Sequence, residues 1–81
     1  MNVQTIDLSK TVYELSKEYP DLVRVLDEIG FHDITKPGML VSVGRFMTIP
    51  KGAAAKKFDR NRILEMLYEN GFEVINEDLL K

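Results

Sequence analysis

Apolar residues recur along this chain in short bursts at helical spacing, and glycine, proline or polar pairs separate the bursts. Residues 3–8, Val-Gln-Thr-Ile-Asp-Leu, read as a short extended lead-in. Thr11-Val-Tyr-Glu14 then spells a capping box, in which the Thr11 hydroxyl accepts the Glu14 N–H and the Glu14 carboxylate accepts the Thr11 N–H. Val12, Leu15 and Tyr19 follow, predicting a first helix over about 12–19. Pro20 has no N–H to donate and a preset φ, which suits the first position of a second helix. Leu22, Val25, Leu26 and Ile29 mark one face of that helix at i, i+3, i+4 and i+7. Gly30 ends it, with Phe31 placed to fold back on Leu26 in a Schellman cap.

The middle of the chain is less regular. Lys36-Pro37-Gly38 is turn chemistry, and Pro37 favours a short helix over the apolar run 39–46, although Val41 and Val43 suit a strand equally. Thr48 caps a fourth helix with Pro50 near its start. Its Ala53, Ala54 and Ala55 would allow close helix–helix approach. Asp59 caps a fifth helix with Ile63, Met66, Leu67 and Asn70 along one side. Gly71 stops this helix, and Phe72 repeats the Schellman contact, now onto Leu67. The two ends share Leu-x-Glu-x-Gly-Phe, at Leu26–Phe31 and Leu67–Phe72, and common cap physics accounts for the likeness without an internal repeat. Residues 73–75 are extended, and 76–81 read as a polar tail with a last pair of leucines.

The prediction is an all-α fold: a compact array of four or five short helices, ordered over about 5–75. Segments 3–6 and 72–75 could pair as a tiny terminal two-stranded ribbon, supported by the helices. At 81 residues this is one domain, which buries only about 60–65% of its unfolded surface and has little apolar material to spare for a deep cleft.

Composition removes several chemistries. The chain has no cysteine, hence no disulfide, no thiolate nucleophile and no cysteine-ligated zinc or iron–sulfur cluster. Its one histidine, His32, cannot form a two-histidine metal site within a single chain. No nucleophile elbow, phosphate loop or dinucleotide fingerprint occurs. Asp27 and Glu28 are neighbours on a helix and therefore diverge. The expectation is no enzyme activity, no catalytic residue, no cofactor and no metal. The N-terminus has no apolar run of signal-peptide length, and no stretch is long and apolar enough to span a membrane, so the expected location is cytoplasmic.

Net charge is −2, but it is unevenly spread. Residues 1–35 carry three bases against seven acids, residues 36–62 seven bases against Asp59, and residues 63–81 one base against five acids. The basic centre could be an anion-binding face, or it could balance the acidic ends. Thr48 to Leu67 also has the outline of a helix-turn-helix, with Arg60 and Arg62 at the start of the second helix. Lys51, Lys56, Arg60 and Arg62 are accordingly the candidate anion contacts. Against a nucleic-acid role stand the acidic chain and a turn without glycine.

Ile6-Asp-Leu-Ser-x-Thr-Val, Tyr19-Pro, and Val25-Leu-x-x-Ile-Gly-Phe-His32 resemble the small helical N-terminal domain of ScdA-type iron–sulfur cluster repair proteins. Gly44-Arg-Phe-Met-Thr48 through Asn70-Gly-Phe-Glu-Val74 resembles the branch fused to regulatory proteins with PAS and hemerythrin-like domains. The resemblance runs over about residues 5–75. It implies a helical fold and a protein partner in redox or signalling work. It does not carry over the cysteine pair that follows the helix-2 glycine in ScdA-type members. That place holds Gly30-Phe-His-Asp-Ile-Thr35, where only His32 could stand for a ligand.

His32 lies just past a helix C-terminus and beside Asp33, and both favour imidazolium. The plain role for it is a surface cap on helix-end carbonyls. Met39, Met47 and Met66 suit either a soft ligand pocket or core filling. An exposed apolar patch around Phe31, Met39 and Phe46, with His32 nearby, would mark a protein-binding surface. A protein partner is the expected ligand.

Overall fold

A computed structural model describes residues 4–80. Two strands, β1 (Gln4–Asp7) and β2 (Phe72–Ile75), bracket five helices: α1 (Val12–Glu18), α2 (Asp21–Ile29), α3 (Pro37–Ser42), α4 (Ile49–Lys56) and α5 (Arg60–Glu69). Short 3-10 turns follow α3, at Val43–Arg45, and β2, at Glu77–Leu79. The fold is mostly α, as the periodicity predicts.

The terminal ribbon forms, and it is parallel, with Ile6 opposite Val74 and Gln4 opposite Phe72. Parallel neighbours need a crossover, and here the whole helical set is the crossover. The inward residues Ile6 and Phe72 are buried, and the Tyr19 ring meets the Phe72 ring edge-on at 5.9 Å. Packing against the helices therefore supports a pair that would be marginal alone.

Caps fix the helix starts. Thr11 Oγ1 accepts from the Glu14 N–H (3.2 Å), and Glu14 Oε1 accepts from the Thr11 N–H (3.0 Å), completing the box. Thr48 Oγ1 accepts from the Lys51 N–H, and Asp59 Oδ1 from the Asn61 N–H. An antiparallel bridge joins Thr11 to Thr48, and the Val12 N–H donates to the Met47 carbonyl, so α1 and α4 start side by side. On α2 the four residues of the predicted face are all buried, while Arg24 faces outward between Asp21 and Glu28.

Several expectations need correction. The favoured short helix forms and the strand alternative does not hold, but α3 starts at Pro37 itself and gives way to the 3-10 turn at Val43, so the helix covers only the first part of the run 39–46. The two glycine ends differ. Phe31 N–H donates to the Leu26 carbonyl, as a Schellman cap requires. At the second end Gly71 N–H closes a shorter turn onto Tyr68, and Phe72 passes directly into β2, because the strand pairing claims it. Of the three alanines only Ala53 is buried, and the close approach belongs to Gly52 instead. Residues 76–80 are not a tail: Leu80 is 4% exposed and joins the core, and its carbonyl accepts from Arg60 Nε at 2.9 Å.

Candidate functional site

Phe31 organises the site. The cap at Gly30 turns the chain so that Phe31 points inward, where it is 3% exposed. Gly30 sits at φ +134°, and a Cβ there would lie 2.8 Å from the Phe58 ring. Both the conformation and the space require glycine. Phe58 meets Phe31 edge-to-face at 5.0 Å. On its other side Phe31 lies against Gly52 of α4, where an added Cβ would be 2.9 Å from the ring. The ring is thus held from two directions. Phe31 is therefore not an exposed contact, as the sequence suggested, because Phe58 and α4 cover it.

Above this ring runs an apolar groove of about 190 Å³. Phe31 and Ile34 line it together with Met39 and Val43 from the α3 segment and Met47 before α4. Gly52 and Ala55 form the α4 wall, and Asp33 and Lys56 reach its edge, 3.8 Å apart. Behind Phe31 the packing leaves no room for a water molecule. Met39 and Val43 are partly exposed, and Phe46, beside Met47, is 78% exposed. Met66 lies elsewhere, against the core.

His32 stands outside the groove. Its Nδ1 lies 2.9 Å from Asp27 Oδ1, one turn back on α2, rather than beside Asp33 or on helix-end carbonyls. Thr35 Oγ1 donates to the same carboxylate or to the His32 carbonyl. Contact with His32, then with Thr35, holds the Asp27 carboxyl below its ordinary pKa. The His32 and Asp27 side chains are both more than half exposed, so this is a surface clasp over the end of α2. Among the described residues no group of three His, Cys, Asp or Glu side chains is arranged to hold a metal ion.

The four candidate anion contacts do not converge as a set. Arg60 is engaged with the Leu80 carbonyl and lies 3.7 Å from Glu77. Lys56 pairs with Asp33, and Lys51 and Arg62 are exposed on different helices. Between those helices Lys57 takes the left-handed conformation (φ 57°, ψ 40°) where a helix-turn-helix often has glycine. No helix among the described residues is long and apolar enough to cross a membrane.

Residues 6–64 match the family described as Domain of unknown function (DUF1858). The chain belongs to that family. Among solved structures, this domain is similar to the conserved domain protein from Streptococcus pneumoniae TIGR4. The two share 31% identity over 93% of this chain and 95% of that one, with a TM-score of 0.85. Among curated proteins none matches the chain. The groove-forming residues 31–56 all lie within the part matched to the family.

Sequence reasoning singled out Phe31, Met39 and Phe46 but missed the groove, which Phe31 and Met39 line and Phe46 does not. The available signal was Gly52, a glycine inside a capped helix. Such a residue weakens the helix by about 1 kcal/mol relative to alanine unless something needs the space.

Proposed function

We propose that this domain is a non-enzymatic interaction module that takes an apolar side chain of a protein partner into the groove between α3 and α4. The groove itself carries the reading. A dry apolar cavity of about 150 Å³ accepts one benzene ring, so about 190 Å³ accommodates one aromatic or branched side chain. Sites for drug-sized ligands run to about 300–1,000 Å³, so the groove is smaller than those and nearer the size of one side chain. Partly exposed Met39 and Val43 line the opening, and Phe46, next in the chain to the lining Met47, is largely exposed, as apolar residues near an interface anchor are. Methionines at its wall can adjust to the shape that enters.

The resemblance of residues 5–75 to the N-terminal domain of ScdA-type proteins supports a redox or signalling protein as the partner, in the cytoplasm. An anion- or nucleic-acid-binding role draws less support, since Arg60 and Lys56 are already engaged within the fold.

Capture from native extract, with untagged domain as competitor, tests the proposal. A partner is expected that competitor removes and Val43→Glu fails to retain, while Arg62→Glu retains it. Capture that survives Val43→Glu and is lost with Arg62→Glu would replace the groove by the basic surface.

A further inference from the structure

The large apolar side chains left exposed among the described residues fall into two groups of opposite charge. Met39, Val41, Val43 and Phe46 belong to residues 34–58, which hold five bases (Lys36, Arg45, Lys51, Lys56, Lys57) and no acid; the one acid at the groove's edge, Asp33, lies 3.8 Å from Lys56 and is paired with it. Tyr68, Ile75 and Leu79 belong to residues 63–80, which hold five acids (Glu65, Glu69, Glu73, Glu77, Asp78) and no base.

The acidic group forms one surface. The Tyr68 hydroxyl donates to Glu77 Oε2 at 3.0 Å, which ties α5 to the turn carrying Leu79. Ile75 and Glu73 share one side of β2, being two residues apart on a strand. The hydrogen bond to Glu77 pushes the Tyr68 hydroxyl pKa up, and the charge of Glu73, the one acid of β2, adds to it. Arg60 reaches this surface and is paired there with Glu77. On the basic side, Lys36, Lys51 and Lys57 form no ion pair among the described residues. Arg45 lies over the Tyr13 ring at 4.9 Å.

We propose that these two surfaces meet, so that the Tyr68–Ile75–Leu79 surface of one copy docks on the groove-bearing surface of a second copy, head to tail. This rests on the reading of the groove as a docking surface and names a second copy as its occupant. Apolar area on both sides supplies the affinity. Opposite charge sets the pairing, because basic against basic or acidic against acidic would repel. The two surfaces differ, so the contact is heterologous: it ends in a closed ring or continues as a chain, depending on the rotation between copies.

Sedimentation velocity of the full chain, over a wide concentration range at low salt, is the test. The expected result is a mass that rises with concentration. Association should be weaker at about 1 M salt, where the screening length falls to about 3 Å. Phe46→Glu and Tyr68→Lys sit on exposed positions and should each weaken association about tenfold or more, as loss of an interface anchor does. Mixed one to one, the two variants should recover a dimer that grows no further, since each keeps one intact surface. A monomer at every concentration would overturn the second-copy inference while leaving the capture experiment free to succeed with another protein. Association that neither variant weakens, or that mixing does not restore, would overturn it as well.

Discussion

Replacing Gly30 by alanine perturbs the corner that sets Phe31 in place, and its cost can be worked from two independent terms. At φ +134° and ψ 4° an L side chain is strained, by about 1–3 kcal/mol. The new Cβ would also sit 2.8 Å from Phe58 Cζ. Phe58 cannot simply yield, because Phe31 backs it at 5.0 Å and Gly52 backs Phe31. Overpacking of this kind costs about 1–3 kcal/mol. Together the terms give about 2–6 kcal/mol, against a total of roughly 4–12 kcal/mol for a chain of this length. Urea denaturation followed by far-UV circular dichroism measures the loss. The two terms separate in a double-mutant cycle with Phe58→Ala, which removes the clash and leaves the strain. Gly30→Ala should cost less in that background, with a coupling of about 0.5–3 kcal/mol. A Gly30→Ala protein within about 0.5 kcal/mol of the parent, or strict additivity in the cycle, would refute the account of the corner.

Further expectations follow from the caps, the clasp and the last turn. Thr11→Ala removes one side of the capping box and should cost about 0.5–2 kcal/mol in the same denaturation assay. Asp7, Glu14, Asp21 and Asp27 all titrate below their ordinary values when folded. A depressed folded pKa contributes stability above the unfolded value, so these contributions should be complete above about pH 5 and lost as pH falls through the depressed values. In His32→Ala the Asp27 midpoint, followed by carboxyl NMR, should move up toward the ordinary carboxylate range, and an unmoved midpoint would deny the clasp. Leu80→Ala should destabilise by about 2–5 kcal/mol as a core truncation, where a tail residue would cost almost nothing.

Local signals carried the sequence reading furthest. Thr11 with Glu14, Thr48 and Asp59 each cap within one turn of their own position, so the bonds need no distant partner. The α2 face was legible for the same reason. What failed to show depends on residues far apart in sequence. The parallel sense of β1 and β2 is fixed by how five helices return the chain. Leu80 becomes core because Arg60, twenty residues earlier, holds its carbonyl. Phe72 repeats the Phe31 motif locally, but Gln4 and the strand pairing draw it into β2. At the candidate site, Phe31 was chosen for the right region and the wrong reason, since exposure depends on Phe58 and Gly52, which no local pattern links to it. The four candidate anion contacts looked like one surface only along the chain; folding divides them between α4 and α5 and draws Arg60 onto the last turn.

The groove's ability to take one apolar ring is most directly tested by NMR of protein carrying labelled methionine methyl groups, titrated with benzene. Met39 and Met47 line the groove, whereas Met66 packs against the core elsewhere. The expected result is a saturable shift of the Met39 and Met47 methyl signals, with Met66 unmoved. In Ala55→Leu, which places bulk on the α4 wall, the shift should disappear while the protein stays folded. Shifts of equal size at all three methyls, or none at Met39 and Met47 at benzene saturation, would contradict a groove that receives a side chain.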